Sequence, residues 1–127
     1  MNETLRMLGN PNQLMKALRE AASYHGPSVI IAYTPCTAHG IKGGMSGVQA
    51  EMKRAVDAGY WHLYRYDPRA EHAFTLDSGE ATMSYRDFLD GEVRYSSLVR
   101  TFPDRAEQLF EEGARAAQKK YESYKNK

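Results

Sequence analysis

A continuous apolar run over residues 28–33, Ser-Val-Ile-Ile-Ala-Tyr, constrains the fold of this chain most strongly. Gly26 and Pro27 precede the run, and a loop that contains Cys36 follows it. A short, uninterrupted run rich in β-branched residues is typical of a strand covered on both faces, as in a parallel sheet. The sequence therefore predicts a buried strand that delivers Cys36, the only cysteine of the chain, to a loop at the edge of a sheet.

Helical patterns flank this predicted strand on both sides. Asn10 and Pro11 are typical of an N-cap and a first helical position, and apolar residues recur at helical spacing as far as Ala22. A second helix follows the Cys36 loop, with Glu51 expected on its outer face, and residues 60–66 alternate like a second strand. Because two parallel strands need a crossover helix between them, residues 10–68 predict an α-β-α-β unit.

The second half of the chain, residues 69–127, predicts an extended segment followed by helices. Residues 69–82 carry few periodic signals, residues 84–89 and 92–100 favour short helices, and a long helix begins at Pro103. We predict one domain over residues 1–127, of which residues 1–9 are only weakly patterned. The predicted fold class is α/β, with a partial parallel sheet, flanking helices and a mostly helical C-terminal half.

Composition limits the classes of partner and compartment. The chain has 127 residues, which suits one domain, and its formal net charge of +1 gives no general attraction to nucleic acid or to an anionic membrane. No apolar run approaches the roughly 20 residues that span a bilayer. A single cysteine allows no internal disulfide, which favours a reducing, cytoplasmic location.

The residues alone leave the role of Cys36 open. With His39 three positions away, it could be a nucleophile, although no orienting carboxylate is evident. It could also be a metal ligand, but the four histidines (His25, His39, His62 and His72) show no zinc-ligand spacing. The simplest interpretation is a small buried residue, because free cysteine is among the most buried residue types.

Two further features allow a functional and a structural interpretation. The glycine-rich turn over residues 40–44 could bring backbone N–H groups near a phosphate, but it lacks the Walker and dinucleotide patterns, so a flexible turn is favoured. Trp61, Tyr64 and Tyr66 could stack nucleic-acid bases. Without a basic patch around them, they are expected to pack in a core or an interface.

The longer run of sequence around Cys36 resembles the C-terminal region of pyruvate:ferredoxin (flavodoxin) oxidoreductases, at the end of their thiamine-diphosphate-binding domain. The resemblance is carried first by residues 26–41 (GPSVIIAYTPCTAHGI) and 58–68 (AGYWHLYRYDP). It continues through the following shorter segments: 42–45, 49–51, 53–56, 74–78, 88–95 and 102–103. Matches in this order cover nearly the whole chain from about residue 9.

The resemblance implies a role for Cys36 and a set of cofactors. Family members oxidatively decarboxylate pyruvate to acetyl-CoA on thiamine diphosphate and magnesium, and pass electrons through 4Fe–4S clusters to ferredoxin or flavodoxin. The cysteine of this loop looks like a remote thiolate ligand of one cluster, a role that maps onto Cys36. Such a cluster takes four thiolates, which distant segments can supply. The implied partners are the remainder of the oxidoreductase and its homodimer mate.

Departures from the family pattern limit what the chain does alone. It has no Gly-Asp-Gly start for a thiamine diphosphate site and none of the other three cluster thiolates. We therefore predict a C-terminal fragment of such an enzyme that binds no cofactor and is inactive in isolation. The alternative is a stand-alone, non-catalytic interaction or structural module derived from that enzyme.

Overall fold

The computed structural model describes residues 10–127; the weakly patterned residues 1–9 lie outside it. Within that range the chain forms five α-helices: α1 (Pro11–Ser23), α2 (Val48–Asp57), α3 (Tyr85–Gly91), α4 (Val93–Thr101) and α5 (Pro103–Lys125). Short 3₁₀ turns lie at Thr37–His39 and Met45–Gly47. Two three-residue strands, β1 (Tyr64–Tyr66) and β2 (Phe74–Leu76), complete the described structure, which is α/β but mostly helical.

The helix boundaries follow the capping signals of the sequence. The side chain of Asn10 accepts a hydrogen bond from the backbone N–H of Gln13 at 3.2 Å, and Pro11 is the first residue of α1. Ser84 caps α3 in the same way through the N–H of Asp87. Gly59, which follows α2, adopts a φ of +70°, the left-handed conformation expected after a helix C-cap.

The sheet differs from the predicted parallel one. β1 and β2 form an antiparallel pair in which Tyr64 lies opposite Leu76 and Tyr66 opposite Phe74. The second predicted strand is thereby confirmed only over its last three residues. β2 falls in the segment predicted to be merely extended, because a three-residue strand leaves almost no alternation to detect.

The predicted buried strand over residues 28–33 is wrong for the described structure. None of these residues makes a backbone hydrogen bond to another residue of the 10–127 range, and they belong to no sheet there. Val29 is 84% exposed and Ile31 is 72% exposed. A strand of this kind is buried only when neighbouring strands and helices cover it, and residues 10–127 place no strand beside it.

The core lies between α2, α3 and the N-terminal half of α5. Its buried members come from the three helices and from Ala58, which directly follows α2: Ala55, Ala58, Phe88, Leu89, Ala106 and Phe110. Half-buried residues around it include Tyr33, Tyr60, Trp61, Tyr85 and Tyr95. In contrast, α1 contains no buried residue, and the contacts identified between it and the hairpin are polar.

A network of polar contacts joins α1 to the β1–β2 hairpin and the adjacent Asp77. Arg65 donates from Nε to Oδ2 of Asp77 at 2.7 Å and from Nη2 to Oδ1 at 2.9 Å. It also pairs with Glu20 of α1, and Gln13 donates to Asp77 at 3.0 Å. These polar contacts hold α1 over the hairpin while its apolar face borders an open groove.

Candidate functional site: the Cys36 loop and its anchors

The loop over residues 34–44 presents Cys36 to solvent. Pro35 is buried, whereas Cys36 is exposed and is the N-cap of the 3₁₀ turn Thr37–His39. The simple expectation of a buried core cysteine is therefore wrong. Cys36 is exposed because the chain turns at this residue, directly after the buried Pro35.

Backbone contacts with the junction between α3 and α4 anchor the far end of the loop. The N–H of Lys42 donates to the carbonyl of Gly91 at 3.1 Å, and the N–H of Val93 donates to the carbonyl of Gly40 at 3.1 Å. Ile41 and Glu92 form an antiparallel bridge between these two hydrogen bonds. The far end of the loop is thus held by main-chain hydrogen bonds.

Gly40 is the residue that this anchoring requires. Its φ is +84°, a conformation that residues with a Cβ rarely adopt, and an added Cβ would lie 2.8 Å from Cγ2 of Val93. Gly44 also has a positive φ, +62°, but no atom lies within 4 Å of an added Cβ. The glycine-rich turn therefore serves close backbone packing at Gly40 and a turn at Gly44, as the structural interpretation predicted.

Tyr33, just before the loop, packs against the aromatic part of the core. Its ring stacks on Trp61 with centroids 5.5 Å apart and meets Tyr60 edge-on at 5.8 Å. Its hydroxyl is buried without a hydrogen-bond partner among the described residues. Burial, with the nearby charge of Glu92, raises the pKa of this phenol, so it stays neutral at ordinary pH.

Two carboxyl groups near the anchored junction were missed by the sequence analysis. Glu51 was expected on the outer face of α2, but it is 3% exposed, and Glu92 is 1% exposed. The helical pattern could not reveal them, because Glu51 is buried by residues distant in sequence and Glu92 lies between two helices. The glycine at position 91 is a partial sequence signal of close packing at this junction, since an added Cβ there would lie 3.0 Å from Oε1 of Glu51.

The structure does not gather the candidate zinc ligands. His39 shares the Cys36 loop and is exposed, His25 and His72 are exposed elsewhere, and His62 is buried beside α5. Over residues 10–127, no group of three His, Cys, Asp or Glu side chains comes together to hold a metal ion. Within this range Cys36 can therefore offer a metal one thiolate, and a complete site needs ligands from outside it.

The aromatic residues considered as a base-stacking platform are dispersed. Trp61 packs on Tyr33 towards the core, whereas Tyr64 and Tyr66 are exposed on β1. Tyr64 stacks on Phe74 of the neighbouring strand, with centroids 5.3 Å apart, and contacts Tyr124 of α5. Tyr121 and Tyr124 of α5 pack against His62, and Tyr124 also packs against Phe74.

An open apolar groove of about 610 Å³ runs along residues 28–33, of which residues 28–32 are exposed. It lies between α1, α2 and β1, and its apolar lining includes Leu14, Ala17, Val29, Ile31, Met52 and Leu63. No helix in the described range is long and apolar enough to cross a membrane. Along the chain, Tyr33 separates the exposed residues 28–32 from the Cys36 loop, and Tyr33 itself also lines the groove.

Comparison with known proteins finds a consistent set of relatives, although no protein-family profile matches the chain. It is 50% identical over 126 residues to a pyruvate:ferredoxin oxidoreductase of Moorella thermoacetica, which covers 96% of the chain and 11% of that protein. It is 51% identical over 117 residues to a pyruvate-flavodoxin oxidoreductase of Klebsiella pneumoniae, covering 87% of the chain and 10% of that protein. An Enterobacter agglomerans pyruvate-flavodoxin oxidoreductase is 46% identical over 125 residues, covering 95% and 11%.

The chain spans about a tenth of the length of the curated relatives that it matches. The matches nevertheless extend over nearly all of its own residues, which confirms the resemblance seen around Cys36. The chain therefore belongs, as a short region, to the family of pyruvate:ferredoxin and pyruvate-flavodoxin oxidoreductases.

Proposed function

We propose that this chain acts as part of a pyruvate:ferredoxin or pyruvate:flavodoxin oxidoreductase and that Cys36 supplies one thiolate ligand to an iron–sulfur cluster of the assembled enzyme. The observation that carries the proposal is the placement of Cys36. It is the only cysteine, it is exposed, and the loop that presents it is anchored by the backbone of residues 91–93.

Cys36 can supply one of the four thiolate ligands that a 4Fe–4S cluster takes. A cubane cluster takes four cysteine thiolates, and ligands from distant segments are common. When bound, such a cluster supplies one-electron transfer. The part of this chain is to hold the thiol of Cys36 at a fixed point, for which the buried Pro35 and the Gly40–Val93 hydrogen bond provide rigidity.

The remaining parts of the reaction belong to other regions of such an enzyme. Thiamine diphosphate and magnesium would bind outside this chain, because it lacks a Gly-Asp-Gly segment. The proposed partners are the remainder of the oxidoreductase, its homodimer mate, and ferredoxin or flavodoxin for the whole enzyme. A reducing cytoplasm suits a chain whose single thiol must remain free as a ligand.

The same proposal accounts for the exposed apolar run. We infer that residues 28–33 pair with strands from the remainder of the enzyme, in a parallel sheet at the end of its thiamine-diphosphate-binding domain. Support comes from the high exposure of Val29 and Ile31 and from the unused backbone groups of this run within residues 10–127. A segment with unpaired backbone N–H and C=O groups can add as a further strand to the exposed edge of a sheet.

Complementation tests this function. The chain would be combined with a pyruvate-flavodoxin oxidoreductase relative from which the matching tenth has been deleted, and pyruvate-dependent reduction of flavodoxin would be followed. We expect activity only in the combined sample, with a Cys36→Ala chain as the control that fails to restore it. Turnover of pyruvate by the isolated 127-residue chain with thiamine diphosphate would contradict the proposal.

A second candidate function is a stand-alone interaction module that associates through residues 28–33. The specific observation in its favour is the open apolar groove beside Val29 and Ile31, since apolar patches of this kind drive association. Light scattering on the isolated chain distinguishes it. The module predicts a defined oligomer that Val29→Thr with Ile31→Thr dissociates and that Leu109→Gln, at another exposed apolar position, leaves intact. A monomer at high concentration argues against it.

A further inference from the structure

The two ends of the Cys36 loop are held in different ways. At the far end, backbone hydrogen bonds join residues 40–42 to residues 91–93. At the near end, residues 29–35 form no backbone hydrogen bond within the described part of the chain. Within that part, the near end of the loop can therefore be held only through side chains.

Tyr33 is the side chain that fits this role. Of residues 28–34, which lead into the loop, only Tyr33 is not exposed, and the buried Pro35 follows two positions later. The Tyr33 ring stacks on Trp61, with centroids 5.5 Å apart and planes inclined by 28°, and meets Tyr60 edge-on. Aromatic pairs in such arrangements attract each other beyond the burial of their surface. The near end of the loop is therefore joined to a specific pair of rings.

Those two rings are themselves held in place. The backbone N–H of Trp61 donates to the carbonyl of Ala55 in α2 at 3.0 Å. Tyr60 packs on the fully buried Phe88, with ring centroids 4.7 Å apart, and its hydroxyl is 2.9 Å from that of Tyr95 in α4. The surface that receives the ring before the loop thus belongs to the close-packed core and its neighbouring helices.

Both anchors of the loop lead to α4. The side-chain anchor reaches α4 through the contact between the hydroxyls of Tyr60 and Tyr95, and the backbone anchor ends at Val93, the first residue of that helix. Cys36 lies between the anchors, three residues after the first and four residues before the second. A thiolate on a loop held at both ends loses less freedom when it binds a metal, because its position is already set.

The hydroxyl of Tyr33 does not contribute to the near anchor. It is buried and has no hydrogen-bond partner among the described residues. A buried hydroxyl without a partner opposes folding, so the ring and not the oxygen holds the residue in place. Phenylalanine would keep the ring contacts and lose only the unpaired group, which makes Tyr33→Phe the conservative variant.

We propose that Tyr33 is a positioning residue for Cys36: its ring, stacked on Trp61, holds the near end of the loop and thereby sets the point at which the thiolate meets a cluster. This inference rests on the proposed function, because it takes Cys36 to be a ligand. The anchoring itself is a property of the isolated chain, so anchoring and ligation are tested separately.

Backbone dynamics of the 127-residue chain test the anchoring. From ¹⁵N relaxation, the Cys36 amide should have an order parameter of about 0.85 in the wild type and in Tyr33→Phe, and below about 0.6 in Tyr33→Ala. Tyr85→Ala is the matched control, because Tyr85 is also half-buried and packs on Tyr60 at 6.0 Å, but from α3. It should leave the Cys36 value unchanged. Tyr33→Leu, which keeps apolar volume without a stacking ring, should mobilise the loop likewise and replaces Tyr33→Ala if that variant does not fold.

Energy transfer from Trp61 to a fluorophore on Cys36 gives a second measurement, because the chain has one tryptophan and one cysteine. The distribution of donor–acceptor distances should widen in Tyr33→Ala and stay narrow in Tyr33→Phe and Tyr85→Ala. The proposal is wrong if the wild-type amide is already mobile, if Tyr33→Ala leaves it ordered, or if Tyr85→Ala mobilises it to the same extent.

The electron paramagnetic resonance spectrum of the assembled enzyme tests the consequence for the thiolate. Tyr33→Ala should broaden the signal of the reduced cluster that depends on Cys36, and Tyr33→Phe should show the wild-type shape. An unchanged shape in Tyr33→Ala would overturn the positioning role. If Cys36→Ala leaves every cluster intact, the proposed function fails, whereas the order parameters still decide whether Tyr33 anchors the loop.

Discussion

The backbone N–H of Val93 donates to the carbonyl of Gly40 at 3.1 Å, and the Val93 side chain fills the space that a Cβ on Gly40 would need. Gly40→Ala would therefore combine the cost of a left-handed backbone, about 1–2 kcal/mol, with a steric clash. We expect a loss of unfolding free energy greater than about 2 kcal/mol in urea denaturation.

Gly44→Ala is the matched control for this prediction. Gly44 has a similar φ but open space around an added Cβ, so only the backbone cost of about 1–2 kcal/mol applies. Equal losses in the two variants would show that contact between Gly40 and Val93 does not constrain the loop.

A second prediction concerns the ion pair between Arg65 of β1 and Asp77, the residue that follows β2. Asp77→Asn removes the charge of the carboxylate that accepts hydrogen bonds from Nε and Nη2 of Arg65. This substitution should cost about 1–3 kcal/mol of unfolding free energy. Asp57→Asn, which breaks the more exposed helical pair with Lys53, should cost less than about 1 kcal/mol. Comparable losses from both substitutions would argue against a stabilising role for Arg65–Asp77.

The ion pair also predicts a dependence of stability on pH. Burial would raise the pKa of Asp77, but hydrogen bonds from Arg65 and Gln13 outweigh burial and hold it below its usual value. For a carboxyl with a lowered folded-state pKa, the stability contribution is present above about pH 4 and is lost as the pH falls further. Urea midpoints measured between pH 7 and 3 should fall less steeply in Asp77→Asn than in the wild type.

Core packing gives a fourth prediction. Phe88 is 0% exposed and contacts Tyr60, with ring centroids 4.7 Å apart, so Phe88→Ala should cost about 3–5 kcal/mol of unfolding free energy. Phe102 is 57% exposed, and Phe102→Ala should cost less than about 1 kcal/mol. Thermal or urea unfolding of the two variants checks the difference, and a mild effect at Phe88 would place the core elsewhere.

Local signals in the sequence predicted most of the helices and little of the sheet. The N-cap at Asn10 and the helix start at Pro103 are signals that act through neighbours in sequence, and the structure has both elements. The run over residues 28–33 has a pattern whose burial depends on other strands, which residues 10–127 do not provide. A pattern can show that a segment needs cover, but it cannot show what covers it.

The candidate site likewise contains one residue that the sequence identified and others that it did not. Cys36 stood out because it is the only cysteine and follows the apolar run. Glu51 and Glu92 did not, because their burial arises from tertiary packing of α2 against the α3–α4 junction. A glutamate on a helix with Lys53 and Arg54 beside it has the sequence pattern of a solvent-exposed face.

The most direct test of the central claim is the iron content and electron paramagnetic resonance spectrum of the enzyme assembled with this chain, wild type against Cys36→Ala. If Cys36 is a cluster ligand, the variant should lose one reduced-cluster signal and up to about four irons per protomer, while the other clusters persist. Amide exchange at Lys42 and Val93 would show that the loop itself remains folded. An unchanged spectrum and iron content in Cys36→Ala would contradict the account.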